Sequence, residues 1–78
     1  MSATHEDYWV ILFEAVSYAL KAEKILKEAG LPYKLIPVPR HISSDCGVCL
    51  RFHADLRAEI LARLTDKVEM EQVRRLAD

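Results

Sequence analysis

Residues 8–13 have the sequence Tyr-Trp-Val-Ile-Leu-Phe, an unbroken run of aromatic and aliphatic side chains near the start of the chain. Six residues are too few for a helix, and aromatic and β-branched residues favour a strand. A strand with one face in water would alternate apolar and polar residues, and this run does not. The run therefore predicts a strand in the middle of a sheet.

A helix is predicted over residues 15–29, because apolar residues recur there at intervals of three and four. The apolar stripe consists of Ala15, Tyr18, Ala19, Ala22, Ile25, Leu26 and Ala29. The lysines of this segment fall on the other side of the helix, which predicts a face in solvent. Gly30 can end the helix in the left-handed conformation, and Pro32 prevents its continuation.

Two further strands are predicted on either side of a proline-rich loop, over residues 33–36 and 48–52. Pro37 and Pro39 are two residues apart, so both missing N–H groups would lie on the same side of an extended chain. The first of these strands must therefore lie at a sheet edge or leave the sheet at that point. Together the two strands predict a hairpin with a long loop.

The rest of the chain predicts a second helix and a last strand. The helix covers residues 54–64, with Asp55 available as its N-cap. Its inner face is formed by Leu56, Ile60, Leu61 and Leu64. Residues 67–76 suit either a strand or a helix, and we favour a strand because Val68 and Met70 alternate with glutamates.

The order β-α-β-β-α-β, with right-handed crossovers, predicts an α+β fold of the ferredoxin-like, split βαβ type, with two helices on one face of an antiparallel sheet. The all-apolar first strand would then leave a hydrophobic patch on the other face. This patch would consist of either Trp9, Ile11 and Phe13 or Tyr8, Val10 and Leu12. Because an exposed apolar patch usually marks a contact surface, we expect a homodimer or a protein partner there.

Length and composition limit what the protein can be. The 78 residues suffice for a single domain, which we place at residues 8–78, after a polar tail over residues 1–7. With 11 basic and 12 acidic residues and no basic run, the chain is not expected to bind nucleic acid. The apolar runs are too short to span a membrane, and the polar start does not resemble a signal peptide. We therefore expect a cytoplasmic protein without a membrane partner.

Both cysteines, Cys46 and Cys49, lie at the end of the proline-rich loop. In a cytoplasmic chain, cysteines are more often reactive or metal-binding than joined in a structural disulfide. The polar or small neighbours Ser43, Asp45 and Gly47 favour exposure of Cys46 over burial. The sequence thus predicts a loop that presents a thiol, and a scaffold that holds this loop.

Several parts of the sequence resemble one small family. They are Phe13 at the end of the first strand, residues 19–30, residues 35–40 (Leu-Ile-Pro-Val-Pro-Arg), Ile42-Ser43, Cys46-Gly47 and Leu50-Arg51-Phe52. Together they resemble the selenium/sulfur carrier protein-like family, over about residues 8–52 and at lower similarity beyond. The resemblance implies that Cys46 carries the group and that the partners take part in selenium or sulfur transfer. Cys49 stands where a small residue such as alanine is common in the family.

The chemistry of a carrier indicates which groups should surround Cys46. A carrier needs an accessible thiolate to hold sulfur or selenium as a persulfide-type adduct, whereas an ordinary cysteine has a pKa of roughly 8.5. Arg40 can supply positive charge, and a positive φ at Gly47 can turn backbone N–H groups towards the sulfur. Asp45 opposes this, because a nearby carboxylate raises the pKa of a thiol. The predicted site is Cys46 as the carrier residue, supported by Arg40, Gly47, Ser43 and Cys49.

Cys46 and Cys49 also form a Cys-x-x-Cys motif, which suits thiol–disulfide exchange. In redox proteins this motif opens a helix, whereas residues 50–52 predict a strand. Positions three apart on a strand point to opposite faces and lie about 10 Å apart, and a disulfide needs Cα atoms within about 7 Å. A dithiol switch would therefore require Cys46 and Gly47 to lie in a turn.

A zinc site could use His41, Cys46, Cys49 and His53, whose side chains are of the types that zinc prefers. The spacing does not fit, because Cys49 and His53 would share one face of a strand while Cys46 points away. We expect neither a metal nor another cofactor.

The sequence favours a small carrier of sulfur or selenium over an enzyme, because no acid–base pair is evident. The partners would be sulfur or selenium donor and acceptor proteins. Two alternatives stay open: a ferredoxin-like module that binds a ligand or a protein, and a redox protein that uses Cys46 and Cys49.

Overall fold

The computed structural model describes residues 7–40, 42 and 47–76. Its elements follow in the order β1 (Tyr8–Leu12), α1 (Val16–Ala29), β2 (Lys34–Pro37), β3 (Val48–His53), a 3₁₀ turn (Ala54–Leu56), α2 (Arg57–Leu64) and β4 (Gln72–Arg75). The strands form one antiparallel sheet in the order β2-β3-β1-β4. This is the predicted ferredoxin-like α+β fold, and the predictions of a central β1 and an edge strand β2 are both confirmed.

The helix α1 forms on the predicted apolar stripe and ends at Gly30. Ala19, Ala22 and Leu26 are buried on its inner face. Gly30 has a left-handed φ of 75°, and the Leu31 N–H donates a hydrogen bond to the Leu26 carbonyl at 3.0 Å. This 6→1 bond closes the last turn as in a Schellman motif, where glycine avoids the strain that a Cβ atom would bring.

Pro37 explains why β2 lies at an edge of the sheet. The Val38 N–H donates to the Gly47 carbonyl at 3.2 Å, and Pro37 is paired with Val48. Because successive residues of a strand direct their N–H groups to opposite sides, the nitrogen of Pro37 faces away from β3. The missing N–H therefore removes no hydrogen bond between β2 and β3. It also leaves the outer edge of β2 with one donor fewer for pairing with another strand.

The start of the second helical segment differs from the prediction. The predicted N-cap, Asp55, is wrong, because the cap is His53, whose Nδ1 accepts a hydrogen bond from the Asp55 N–H at 3.1 Å. An imidazole can do this because its neutral form has one acceptor nitrogen. The 3₁₀ turn Ala54–Leu56 follows the cap, and α2 begins only after it. Ile60 and Leu64 are buried on the inner face of α2, as predicted.

One side of the sheet packs against both helices and carries the larger apolar core. This helix-side core consists of Ile11, Phe13, Ala19, Ala22, Leu26, Leu50, Phe52, Ile60, Leu64 and Val68. All of these side chains are at most 4% exposed, so this layer supplies most of the hydrophobic stabilisation.

The other side of the sheet is not exposed at its centre, which contradicts the expected apolar patch. Val10 and Leu12 are 0% and 1% exposed, because Ile42 from the loop after β2 packs against them together with Cys49 of β3. We call Val10, Leu12, Ile42 and Cys49 the loop-side cluster. The prediction counted the helices as the only cover of the sheet and missed the loop. A homodimer stays a prediction, without this apolar surface as its basis.

The last strand confirms the choice of strand over helix, but it begins later than the alternation of residues suggested. β4 covers Gln72–Arg75 and pairs with β1. Val68 and Met70 precede the strand and pack on the helix-side core instead. The apolar–acidic alternation thus lies in the segment before β4. Within β4, Val73 is the residue that packs against the helix-side core.

The start of the described chain is tied to the sheet at Asp7. The Ala54 N–H donates to the Asp7 carbonyl at 2.8 Å, and Arg75 Nη2 lies 3.0 Å from Asp7 Oδ1. Residues 1–6 of the predicted tail lie outside the described residues, and the boundary between tail and domain stays a prediction. Within the described ranges, no helix combines the length and the hydropathy that crossing a membrane requires.

Candidate functional site

The hairpin of β2 and β3 holds the loop that carries the predicted site. The hydrogen bond between Val38 and Gly47 extends the ladder by one step beyond the strands and closes the base of the loop. Gly47 is exposed, and a Cβ atom added there would meet no atom within 4 Å. Gly47 follows Cys46 directly in the sequence, so this open position is the described residue nearest to the predicted thiol along the chain.

A tight turn follows the first arm of the loop. The Ile42 N–H donates a hydrogen bond to the Pro39 carbonyl at 3.0 Å, which is the i to i+3 bond of a β-turn. Proline stands at the first position, so Arg40 takes the second, and its side chain is exposed. No ion pair joins Arg40 to an acidic residue within the described ranges.

Ile42 anchors the loop to the sheet. Its side chain is 4% exposed and packs in the loop-side cluster with Leu12 and Cys49. Sequence analysis did not assign this role to Ile42, although a single large apolar residue between Arg40 and Ser43 was a usable signal. An isolated apolar residue in a polar loop often marks the point where the loop turns back to the core.

Cys49 lies beneath the loop, on the face of the sheet opposite the helices. It is 0% exposed, and it is paired with Leu12 of β1 and Ile36 of β2. The Cys49 thiol is therefore out of reach of solvent. Cys49 therefore contributes packing under the loop, as a small apolar residue would at this position.

The structure describes some of the predicted site residues and not others. Arg40 and Gly47 lie at exposed positions of the loop and Cys49 lies beneath it. Cys46 and Ser43 lie outside the described residues, so their predicted roles stay predictions. The predicted positive φ of Gly47 depends on the backbone of Cys46 and stays a prediction as well.

The two cysteine-based alternatives can be compared with the described residues. Cys49 lies inside β3 and not at a helix start, so the local geometry that activates a redox Cys-x-x-Cys motif is missing at this residue. For zinc, Cys49 and His53 share a face but are four strand residues apart, or about 13 Å, which is too far for one ion. No cluster of metal-ligand residues occurs among the described residues.

A hydrogen bond to α1 fixes the position at which β2 begins. The Tyr33 hydroxyl donates to Glu23 Oε2 at 2.9 Å. Burial raises the pKa of the Tyr33 phenol, and the hydrogen bond to Glu23 and the charge of that carboxylate raise the pKa further. The neutral phenol is therefore the form that holds β2 against the helix.

The chain is thus a small α+β protein with a ferredoxin-like sheet, and the loop of its β2–β3 hairpin contains a Cys-Gly pair in the sequence. Comparison with known families assigns the chain more closely. The family model described as "Putative Se/S carrier protein-like" matches residues 8–73, and the chain belongs to this family. The sequence-based resemblance is thereby confirmed and extends to β4.

One curated relative is a protein of Aquifex aeolicus (strain VF5) named "Putative sulfur carrier protein". It is 43% identical to this chain over 58 residues, which are 72% of this chain and 29% of the relative. The chain thus spans less than a third of the length of the relative that it matches. No solved structure matches the chain.

Proposed function

We propose that the protein carries sulfur or selenium on Cys46, as a persulfide or perselenide, between a donor and an acceptor protein. Membership of the Se/S carrier protein-like family supports the cargo, and the name of the Aquifex relative agrees with it. Because the free carrier thiol would be tied up in a disulfide in oxidising surroundings, we propose a reducing compartment such as the cytoplasm for the carrier.

The observation that carries the proposal is the way in which the loop is held. The Val38–Gly47 hydrogen bond closes its base, and Ile42 pins it to the sheet. Arg40 is exposed and lies between Val38 and Ile42 in the chain, and Gly47 is exposed at the base of the loop. A carrier needs a cysteine that is accessible but confined, and a loop that is tied at two points would suit this need.

The transfer step exchanges one S–S bond for another. The Cys46 thiolate attacks the terminal sulfur of a cysteine persulfide on the donor, so that a bond to Cys46 forms and the donor cysteine leaves as a thiolate. The bonding pair of the broken S–S bond stays with the donor cysteine, and Cys46 supplies the pair of the new S–S bond, so no net oxidation occurs; the terminal sulfur keeps its proton. An acceptor thiolate then removes this sulfur from Cys46 by the same reaction. Selenium would move in the same way from a perselenide.

Arg40 would favour this step by stabilising the thiolate. A positive charge near a cysteine lowers the pKa of the thiol and increases the fraction that can attack at neutral pH. Because the Arg40 side chain is exposed, water screens its charge, and we expect a supporting effect on the rate.

Intact-mass spectrometry of the full chain tests the proposal. After incubation with a cysteine desulfurase and cysteine, we expect a mass gain of one sulfur atom that dithiothreitol removes. Cys46→Ser should abolish the gain, Cys49→Ala should retain it, and Arg40→Gln should slow it a few-fold. Uptake of sulfur by the Cys46→Ser protein would contradict the proposal. A loss of two hydrogen atoms under mild oxidant, without uptake of sulfur, would instead support the dithiol alternative.

A further inference from the structure

Beyond the loop-side cluster, the described strand residues of the same sheet face include several cations. Register places Lys34 opposite Arg51, Arg51 opposite Val10, and Val10 opposite Arg74. Because residues that are paired across strands have their side chains on the same face, these three cations form one row across the sheet. We call Lys34, Arg51 and Arg74 the cationic row. Among the described strand residues of this face, none is acidic.

A cleft of about 240 Å³ opens at the β2 end of the cationic row. It is lined by Tyr8, Pro32, Tyr33, Lys34, Arg51, Phe52, His53 and Leu56. Two cations of the row, Lys34 and Arg51, belong to this lining, whereas Arg74 does not. None of the described residues that line the cleft is acidic, so its charged groups favour an anion.

One wall of the cleft is held in place by ring contacts. The Arg51 guanidinium carbon lies 4.3 Å from the centre of the Tyr8 ring, a cation–π contact. On its other side Tyr8 meets the edge of the His53 ring, with ring centres 5.7 Å apart and an angle of 79° between the planes. The guanidinium is therefore ordered before any ligand arrives, which lowers the entropy lost on binding.

His53 adds a hydrogen-bond donor to this wall. Its Nδ1 accepts the Asp55 N–H at 3.1 Å, so the proton of the neutral ring is on Nε2. Two described acidic residues contact residues of the lining. Asp55 Oδ2 lies 3.6 Å from Nδ1 on an exposed side chain, and Glu23 accepts the Tyr33 hydroxyl. The lining thus offers the donors of Lys34, Arg51 and His53.

The pairing of Lys34 with Arg51 is unfavourable without a ligand. Like charges that lie directly opposite across two strands repel each other, and no ion pair joins either of these two to an acidic residue in the described part of the chain. A bound anion would remove this repulsion, because it can accept hydrogen bonds from both side chains. Relief of this repulsion adds to the positive lining of the cleft as a reason for an anion to bind there.

We infer that this cleft is a binding site for a small-molecule oxyanion, a phosphate or a carboxylate, between Lys34, Arg51 and His53. The apolar part of such a ligand would lie against Tyr8 and Leu56. Its polar residues Lys34, Arg51 and His53 lie on the same sheet face as Cys49, and Arg51 and His53 are two and four residues beyond Cys49 in β3. The inference does not depend on whether Cys46 binds sulfur.

Titration of the ¹⁵N-labelled Cys46→Ser protein with inorganic phosphate tests this site, at constant ionic strength set with sodium chloride. We expect saturable shifts of the amide signals of Lys34, Arg51 and His53. Lys34→Gln and Arg51→Gln should each weaken binding about tenfold, the usual loss for a charged hydrogen bond. A parallel titration with acetate assigns the ligand class, because the better-bound anion shares the chemistry of the ligand.

Two matched variants make the test specific to the cleft. Arg74→Gln removes a cation from the same row but outside the cleft, and Lys24→Gln removes an exposed cation from α1. Both should bind phosphate as the parent protein does. The inference is overturned if Arg74→Gln weakens binding as much as Arg51→Gln, since a diffuse charged face would then be responsible. It is also overturned if neither anion gives saturable shifts at these residues.

Discussion

The two faces of the sheet are covered in different ways. On one face, α1 and α2 bury ten side chains of the helix-side core, and each helix presents a regular apolar stripe. On the other face, Ile42 from the loop completes a cluster of four buried residues, against which Ile36, Val38 and Leu76 pack. The first cover holds the fold together. The second is small and local, so it can position the loop without making the whole sheet depend on it.

The largest expected effect comes from a cavity in the helix-side core. Phe52 is 1% exposed, and Phe52→Ala should lower the free energy of unfolding by about 3–5 kcal/mol. A chain of this length has a total stability of about 4–12 kcal/mol, so this loss is a large share of the total. Urea denaturation followed by circular dichroism measures this loss. Leu20→Ala, at a position 51% exposed, should stay within about 0.5 kcal/mol of the parent protein.

A smaller effect is expected from the loop-side cluster. Ile42→Ala should cost about 2 kcal/mol, the low end for such a change, because the loop can relax into the space. That loss corresponds to an increase of up to about thirtyfold in the opened population. In a Cys46→Ser background, Cys49 should therefore react faster with iodoacetamide than it does when Ile42 is present.

Ile42→Val is the matched control, because it removes one carbon and keeps the anchor, at a cost of about 0.5–1.5 kcal/mol. Cys49 should remain protected in this variant. If Ile42→Ala destabilised the protein as much as Phe52→Ala, or if it left the reactivity of Cys49 unchanged, the two faces would not differ in the way described.

The smallest effect concerns the tie between β2 and the helix layer. Tyr33→Phe removes the hydrogen bond to Glu23 and should cost about 0.5–1.5 kcal/mol at neutral pH. Because the pKa of Tyr33 is raised in the folded state, its contribution is complete below pH of about 10 and is lost as pH rises through the raised value. Denaturation at several pH values should show the parent protein losing this advantage at alkaline pH.

Glu23→Gln separates the parts of this effect, since it keeps an acceptor and removes the charge. We expect it to retain much of the stability at neutral pH and to weaken the alkaline loss. The free energy of unfolding of Tyr33→Phe and of the parent protein should be compared from about pH 8 to about pH 11, a range around the phenol pKa. A difference between the two proteins that stayed constant over this range would contradict this account.

Most of the fold could be predicted because its signals are local. The apolar run at residues 8–13 indicated a central strand, Gly30 the end of a helix, and Pro37 a sheet edge, and all three agree with the structure. Each signal depends on backbone chemistry within a few residues. The N-cap at His53 was missed because Asp55 is the more usual capping residue and the 3₁₀ turn shifted the start of the helix.

The candidate site was less predictable, because it depends on contacts between residues that are distant in the sequence. Burial of Val10 and Leu12 depends on Ile42, which follows them by about thirty residues. The alignment of Lys34, Arg51 and Arg74 in one row depends on the register of three strand pairs. Neither follows from the periodicity of one segment. Pro-rich composition predicted the loop, but it could not predict which residue anchors it.

The two ties of the loop set how far a cargo on Cys46 could travel. Four residues separate Ile42 from Gly47, and a chain extends by at most about 3.6 Å per residue. A sulfur atom held by so short a segment could not move between two separate partner sites. Donor and acceptor would have to visit the same spot in turn, so each must leave before the other arrives. The donor and the acceptor would then compete for one binding surface on the carrier.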